Sequence, residues 1–111
     1  SHNTLIGDCA GKNFSQYCSS PKYNTFIGLK AGYGYSNPID QNNTIGAENT
    51  SVGYTSLYAN TLGTYNTSIG KQSLYFNTTG NNNTFIGRSS GFGNTTGSEN
   101  TFIGLSSGFV N

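Results

Sequence analysis

The pattern Asn-Thr-x-Ile/Val-Gly begins at Asn3, Asn24, Asn49, Asn66, Asn83 and Asn100. The last three steps are 17 residues each, and the first two are 21 and 25, so those two carry insertions of four and eight residues. A variant, Asn42-Asn43-Thr44-Ile45-Gly46, falls inside the second long step. Self-similarity at a short fixed period constrains the fold more than anything else in the chain. A unit this small cannot bury an apolar face alone and must stack on copies of itself.

With the leading Asn as position 0, the full form is Asn83 to Glu99, NTFIGRSSGFGNTTGSE. Gly, Asn, Thr and Ser make up more than half of the 111 residues. These residues favour turns and caps over helix interiors. Seventeen residues are too few for a helix pair or a propeller blade, but they suffice for one coil of a β-solenoid. Two segments of the unit can be extended, Thr-x-Ile and Ser-x-Tyr/Phe. Glycines at positions 4 and 14 suit backbone with positive φ. The expected fold is therefore all-β: a parallel β-roll or solenoid of about six coils with two short strands per coil. It is expected to form one repeat domain over residues 1–111, an internal piece of a longer protein. At roughly 4.8 Å per coil the rod is about 30 Å long.

Positions 2 and 8 exchange volume. Position 2 is large where position 8 is Gly: Leu5 with Gly11, Phe26 with Gly32, Phe85 with Gly91 and Phe102 with Gly108. Position 2 is Ser where position 8 is Leu: Ser51 with Leu57 and Ser68 with Leu74. Close-packed interiors tolerate volume-conserving exchange best, so the two positions are expected to share one compartment.

Position 3 holds Ile6, Ile27, Val52, Ile69, Ile86 and Ile103. Successive side chains point to opposite faces of a strand, so positions 2 and 3 look opposite ways and both are apolar. A strand apolar on both faces is expected to be buried on both. A two-stranded coil has one interior. Either the chain self-associates over the second face, or a wider coil buries both.

The unit Asn-Thr-x-Ile-Gly-x-x-Ser/Ala-Gly resembles the head repeats of trimeric autotransporter adhesins (YadA-like β-rolls). It resembles more closely the NTFIG-type repeats of bacterial and phage fibre proteins, including the mosaic trimeric fibres of predatory bacteria. The resemblance runs from Asn3 to Asn111; the 17-residue unit and the two insertions are its departures. It implies a homotrimer of parallel chains around a common axis. One apolar strand residue would line each roll and its neighbour the trimer axis, with the order between positions 2 and 3 unassigned.

Little points to catalysis. His2 is the only histidine, and Asp8, Asp40, Glu48 and Glu99 lie in different units. No Cys/His group has zinc spacing, and no cofactor or metal site is expected. A net charge of +1 leaves no basic surplus for nucleic acid. No stretch approaches the ~20 apolar residues of a membrane span. Cys9 and Cys18 could clamp the first insertion as a disulfide in an oxidising compartment, or remain two free thiols.

Ligand-binding candidates sit where the pattern breaks. The first insertion, near Asn13 to Tyr23, carries Tyr17, Lys22 and Tyr23; the second, near Tyr33 to Asn43, carries Tyr33, Tyr35, Asp40 and Gln41. Loops on a rigid scaffold commonly carry function, although these could equally seal the end of the roll. The aromatic file at position 9, Tyr33, Tyr58, Tyr75, Phe92 and Phe109, reads as a packing spine or as a sugar-binding ladder. The expected role is the head or tip of an extracellular trimeric fibre that binds a surface glycan or envelope protein of a target cell. The competing roles are a phage or contractile-tail fibre segment, a spacer without ligand, and, weakest, an ice-binding solenoid built on the Thr file. Insertions are expected to interrupt that file.

Overall fold

The computed structural model describes residues 2–12, 23–34 and 46–109. Six three-residue strands run β1 Thr4–Ile6, β2 Thr25–Ile27, β3 Thr50–Val52, β4 Thr67–Ile69, β5 Thr84–Ile86 and β6 Thr101–Ile103. They form one parallel sheet in chain order, with Thr on Thr, position 2 on position 2 and Ile or Val on Ile or Val. The chain is thus an all-β solenoid of about five turns. Both insertions leave the strand register unbroken.

Among the described residues each coil contributes one strand, not the expected two. The Ser-x-Tyr/Phe segment is a run of turns, because positions 6 and 8 are left-handed in every coil. Cys9, Lys30, Thr55, Gln72, Ser89 and Ser106 at position 6 have φ between 51 and 59°. At position 8, Leu57 and Leu74 lie at 53 and 48° beside the glycines of the other coils. Left-handed residues cannot continue a strand, yet the segment still stacks coil on coil. The position-8 amides donate forward, as in Gly11 N–H to the Ala31 carbonyl (2.9 Å) and Leu57 N–H to the Ser73 carbonyl (2.9 Å).

The two repeating glycines serve different purposes. At position 4, Gly87 has φ 130°, outside the range L-residues adopt, as expected. The position-14 glycines, Gly46, Gly63, Gly80 and Gly97, are not in positive φ, contrary to expectation. Their requirement is space: a Cβ on Gly63 would lie 2.6 Å from the Gly80 carbonyl oxygen and against Asn60 Oδ1.

The apolar core is narrow. Phe26, Ala31, Leu57, Leu74 and Phe85 are fully buried, with Ala10 and Phe102 packed against them. Around them the interior is amide and hydroxyl, with thirteen buried polar residues against six apolar ones among the described residues. Such an interior is stable only where each polar group is bonded, and the repeat supplies the bonds. The position-0 Asn accepts at Oδ1 from the backbone N–H of the next Asn, as in Asn66 N–H to Asn49 (2.9 Å) and Asn83 N–H to Asn66 (3.1 Å). Its Nδ2 donates to the position-14 glycine carbonyl of its own coil: Asn49 to Gly63, Asn66 to Gly80 and Asn83 to Gly97. The buried serines add further bonds, with Ser51 Oγ donating to the Ser56 carbonyl and Ser73 Oγ to the Phe85 carbonyl. Among the described residues the one buried side-chain group left without a hydrogen bond is Asn24 Nδ2, in the coil that carries the longer insertion.

Candidate interaction surfaces

The strand divides the apolar residues between two faces. Position 2 turns inward: Phe26 and Phe85 are buried, Phe102 is partly buried, and Leu5 in the first coil is 45% exposed. Position 3 turns outward. Ile6 is 57% and Ile103 67% exposed, Ile27 and Ile69 are 36% exposed, and Val52 and Ile86 are half-buried. The outer sheet face is therefore an unbroken file of Ile and Val beside the file of Thr. Leu57 and Leu74 at position 8 complete the inner compartment.

The aromatic file at position 9 is a continuous stack. Centroids are 4.9 Å apart for Tyr33–Tyr58, 5.0 Å for Tyr58–Tyr75, 5.3 Å for Tyr75–Phe92 and 5.0 Å for Phe92–Phe109, with planes within 20° of parallel. Phe76 packs edge-on against Tyr75 and Phe92. The Lys12 ammonium lies 5.8 Å from the Tyr33 centroid and closes one end. Sugars stack on aromatic faces, and here internal faces cover one another, leaving only ring edges along the side. The file is a packing spine. Burial raises the Tyr75 phenol pKa above its ordinary 10.0, with the neighbouring Tyr58 adding to the shift.

Of the ligand-binding candidates, Tyr17, Lys22, Tyr35, Asp40 and Gln41 lie outside the described residues. Tyr23 is 58% exposed and stacks on His2 at 5.4 Å. Tyr33 belongs to the spine, so the two described candidates sit in different files. Among the described residues Cys9 is a free thiol, its Sγ 3.6 Å from Asp8 Oδ1. Cys18, and with it the expected crosslink, lies outside them. No group of three or more His, Cys, Asp or Glu gathers among the described residues.

A second asparagine file recurs at position 11, as Asn60, Asn77 and Asn94 among the described residues. Asn77 Nδ2 donates to Asn60 Oδ1 and Asn94 Nδ2 to Asn77 Oδ1, both at 3.0 Å. The amide-to-amide ladder therefore runs mainly at position 11. Each of these Nδ2 groups also donates to the position-14 glycine carbonyl of its coil. The signal was present as Asn-x-x-Gly at Asn60, Asn77 and Asn94.

No protein-family model, curated protein or solved structure matches this chain.

Proposed function

We propose that this chain is a head or tip segment of a homotrimeric extracellular fibre that attaches to a surface glycan or envelope protein of a target cell. The observation that carries the reading is the outward file of Ile6, Ile27, Val52, Ile69, Ile86 and Ile103 on a parallel sheet in register. A contiguous apolar stripe of this kind is a contact surface. Three copies around an axis parallel to the stack would cover it, with position 2 lining each roll and position 3 lining the axis. The role is passive: a rod displays its insertions in three copies, and avidity multiplies weak contacts. The adhesive part is tested on a glycan and envelope-protein array with the intact chain and with residues 13–22 deleted. Binding that the deletion removes supports the reading. Absence of binding by the intact chain favours the spacer.

One observation favours a second reading. The Thr file (Thr4, Thr25, Thr50, Thr67, Thr84, Thr101) is in register across both insertions, so they do not interrupt it as expected. A Thr and Ile array in register along one sheet face is the kind of surface an ice-binding solenoid needs. The same face cannot line a trimer axis, so thermal hysteresis from a monomer would select this reading and its absence would discard it.

A further inference from the structure

In the middle coils the outer sheet face has two edges of opposite charge. One edge is position 16, the residue just before the next leading Asn: Glu48, Tyr65, Asn82 and Glu99, all exposed. Each is left-handed, with φ between 57 and 61°. The column is stacked in register, because the Tyr65, Asn82 and Glu99 amides donate to the Ala47, Thr64 and Asn81 carbonyls of the coil before (3.2, 3.0 and 3.0 Å). The other edge is position 5, just after the Gly that ends the strand: Tyr54, Lys71 and Arg88, also exposed. The Lys71 ammonium lies 5.8 Å from the ring centroid of Tyr54, one coil earlier. The Thr and Ile files run between the two edges, so the strand holds these carboxylates and cations apart within one chain.

Lys71 and Arg88 are neighbours in the stack, and like charges side by side on adjacent strands are destabilising. Copies related by rotation about an axis parallel to the stack bring the position-16 edge of one against the position-5 edge of the next. Rotation alone leaves no shift along the axis. At that register Tyr65 meets Lys71 and Asn82 meets Arg88 at the same height. Glu48 lies one coil before Lys71, and Glu99 one coil after Arg88, each about 4.8 Å along the stack and within reach of a long side chain. A shift of one coil either way levels one acid with its cation and moves the other two coils off. Turning a copy end over end sets acid on acid and cation on cation.

We infer that the position-16 edge of one copy pairs with the position-5 edge of a second copy, Glu48 with Lys71 and Glu99 with Arg88. The inference rests on the lateral trimer proposed above and adds which edges meet and at what register. The contact is heterologous and closes into a ring. The isoleucine file supplies the buried area. Exposed ion pairs add little affinity each; here they fix the orientation and register of the copies.

The test is carbodiimide crosslinking of the whole chain, co-refolded from equal amounts of unlabelled and nitrogen-15-labelled protein and read by peptide mass spectrometry. Carbodiimide joins a carboxylate to an ammonium in contact with it, so a Glu48–Lys71 amide between a light and a heavy chain is expected. Charge reversal gives a second readout. Lys71→Glu with Arg88→Glu should raise the concentration at which the assembly forms by about tenfold or more while the circular dichroism spectrum stays. Adding Glu48→Lys and Glu99→Lys should restore it. An assembly of full mass without the Glu48–Lys71 amide, or one that the double reversal leaves as tight, overturns the inference and leaves the trimer standing. A chain that stays monomeric from micromolar to millimolar overturns both.

Discussion

A Cβ on Gly32 would lie 2.6 Å from three ring carbons of Phe26, so the absent side chain at position 8 is the space the ring at position 2 fills. In the middle coils the volume has moved across: Ser51 and Ser68 are small, and Leu57 and Leu74 fill the same compartment. The backbone permits the exchange, since both leucines hold the positive φ that the glycines hold elsewhere. Phe85→Ser alone is expected to cost about 3–5 kcal/mol by leaving a cavity. Gly91→Leu alone drives a side chain into the Phe85 ring and is also destabilising. Together the two recreate the Ser68–Leu74 arrangement, so the double variant should be more stable than either single one. Urea denaturation of all four proteins measures the coupling, expected at about 2–3 kcal/mol.

The position-11 ladder supplies a second prediction. Asn77 donates to Asn60 and to the Gly80 carbonyl and accepts from Asn94. Asn77→Ala deletes all three bonds inside the stack and strands the Asn60 Oδ1. A loss of about 2–4 kcal/mol is expected, given ~1–3 kcal/mol for each buried polar group left unpaired. An exposed change outside the stack interior, such as Thr79→Ala, should move the urea midpoint little.

Alkaline pH should loosen the spine at Tyr75. Its folded pKa is raised by burial, so the native state keeps the phenol proton at pH values where the unfolded chain has begun to lose it. Stability from this group is complete below about pH 10 and is lost as pH rises through the higher folded value. Tyr75→Phe puts at this level the residue the stack already uses at Phe92 and Phe109, and should flatten the fall in thermal midpoint above pH 10. An unchanged slope would assign the alkaline sensitivity to another tyrosine.

Much of the fold was legible because the repeat compares the chain with itself. The 17-residue step predicts a stacked parallel sheet, and the Phe26–Gly32 and Ser51–Leu57 exchange locates the inner compartment. The missing second strand was not legible. Position 6 is Cys, Lys, Thr, Gln or Ser, none of which announces a left-handed backbone, and only the stacked neighbours hold it there. The role of Gly63 and Gly80 was misread for a related reason. A glycine needed for close approach and one needed for positive φ are the same letter, and only the Asn-x-x-Gly spacing separates them. The insertion residues were chosen because they break the repeat, which by itself says nothing about their conformation.

The outer file supplies a prediction about assembly. Ile86 lies on the outer sheet face, away from Phe85 and Leu74 in the core. Ile86→Lys should leave the circular dichroism spectrum of the roll intact while abolishing the proposed trimer, because three ammonium groups would meet at its axis without partners.

The measurement that bears most directly on the account is the molar mass of the intact chain at micromolar concentration, by light scattering behind a sizing column. Three copies covering the isoleucine file predict about three times 11.8 kDa. A folded species of 11.8 kDa, its isoleucine file open to water, would contradict the fibre reading.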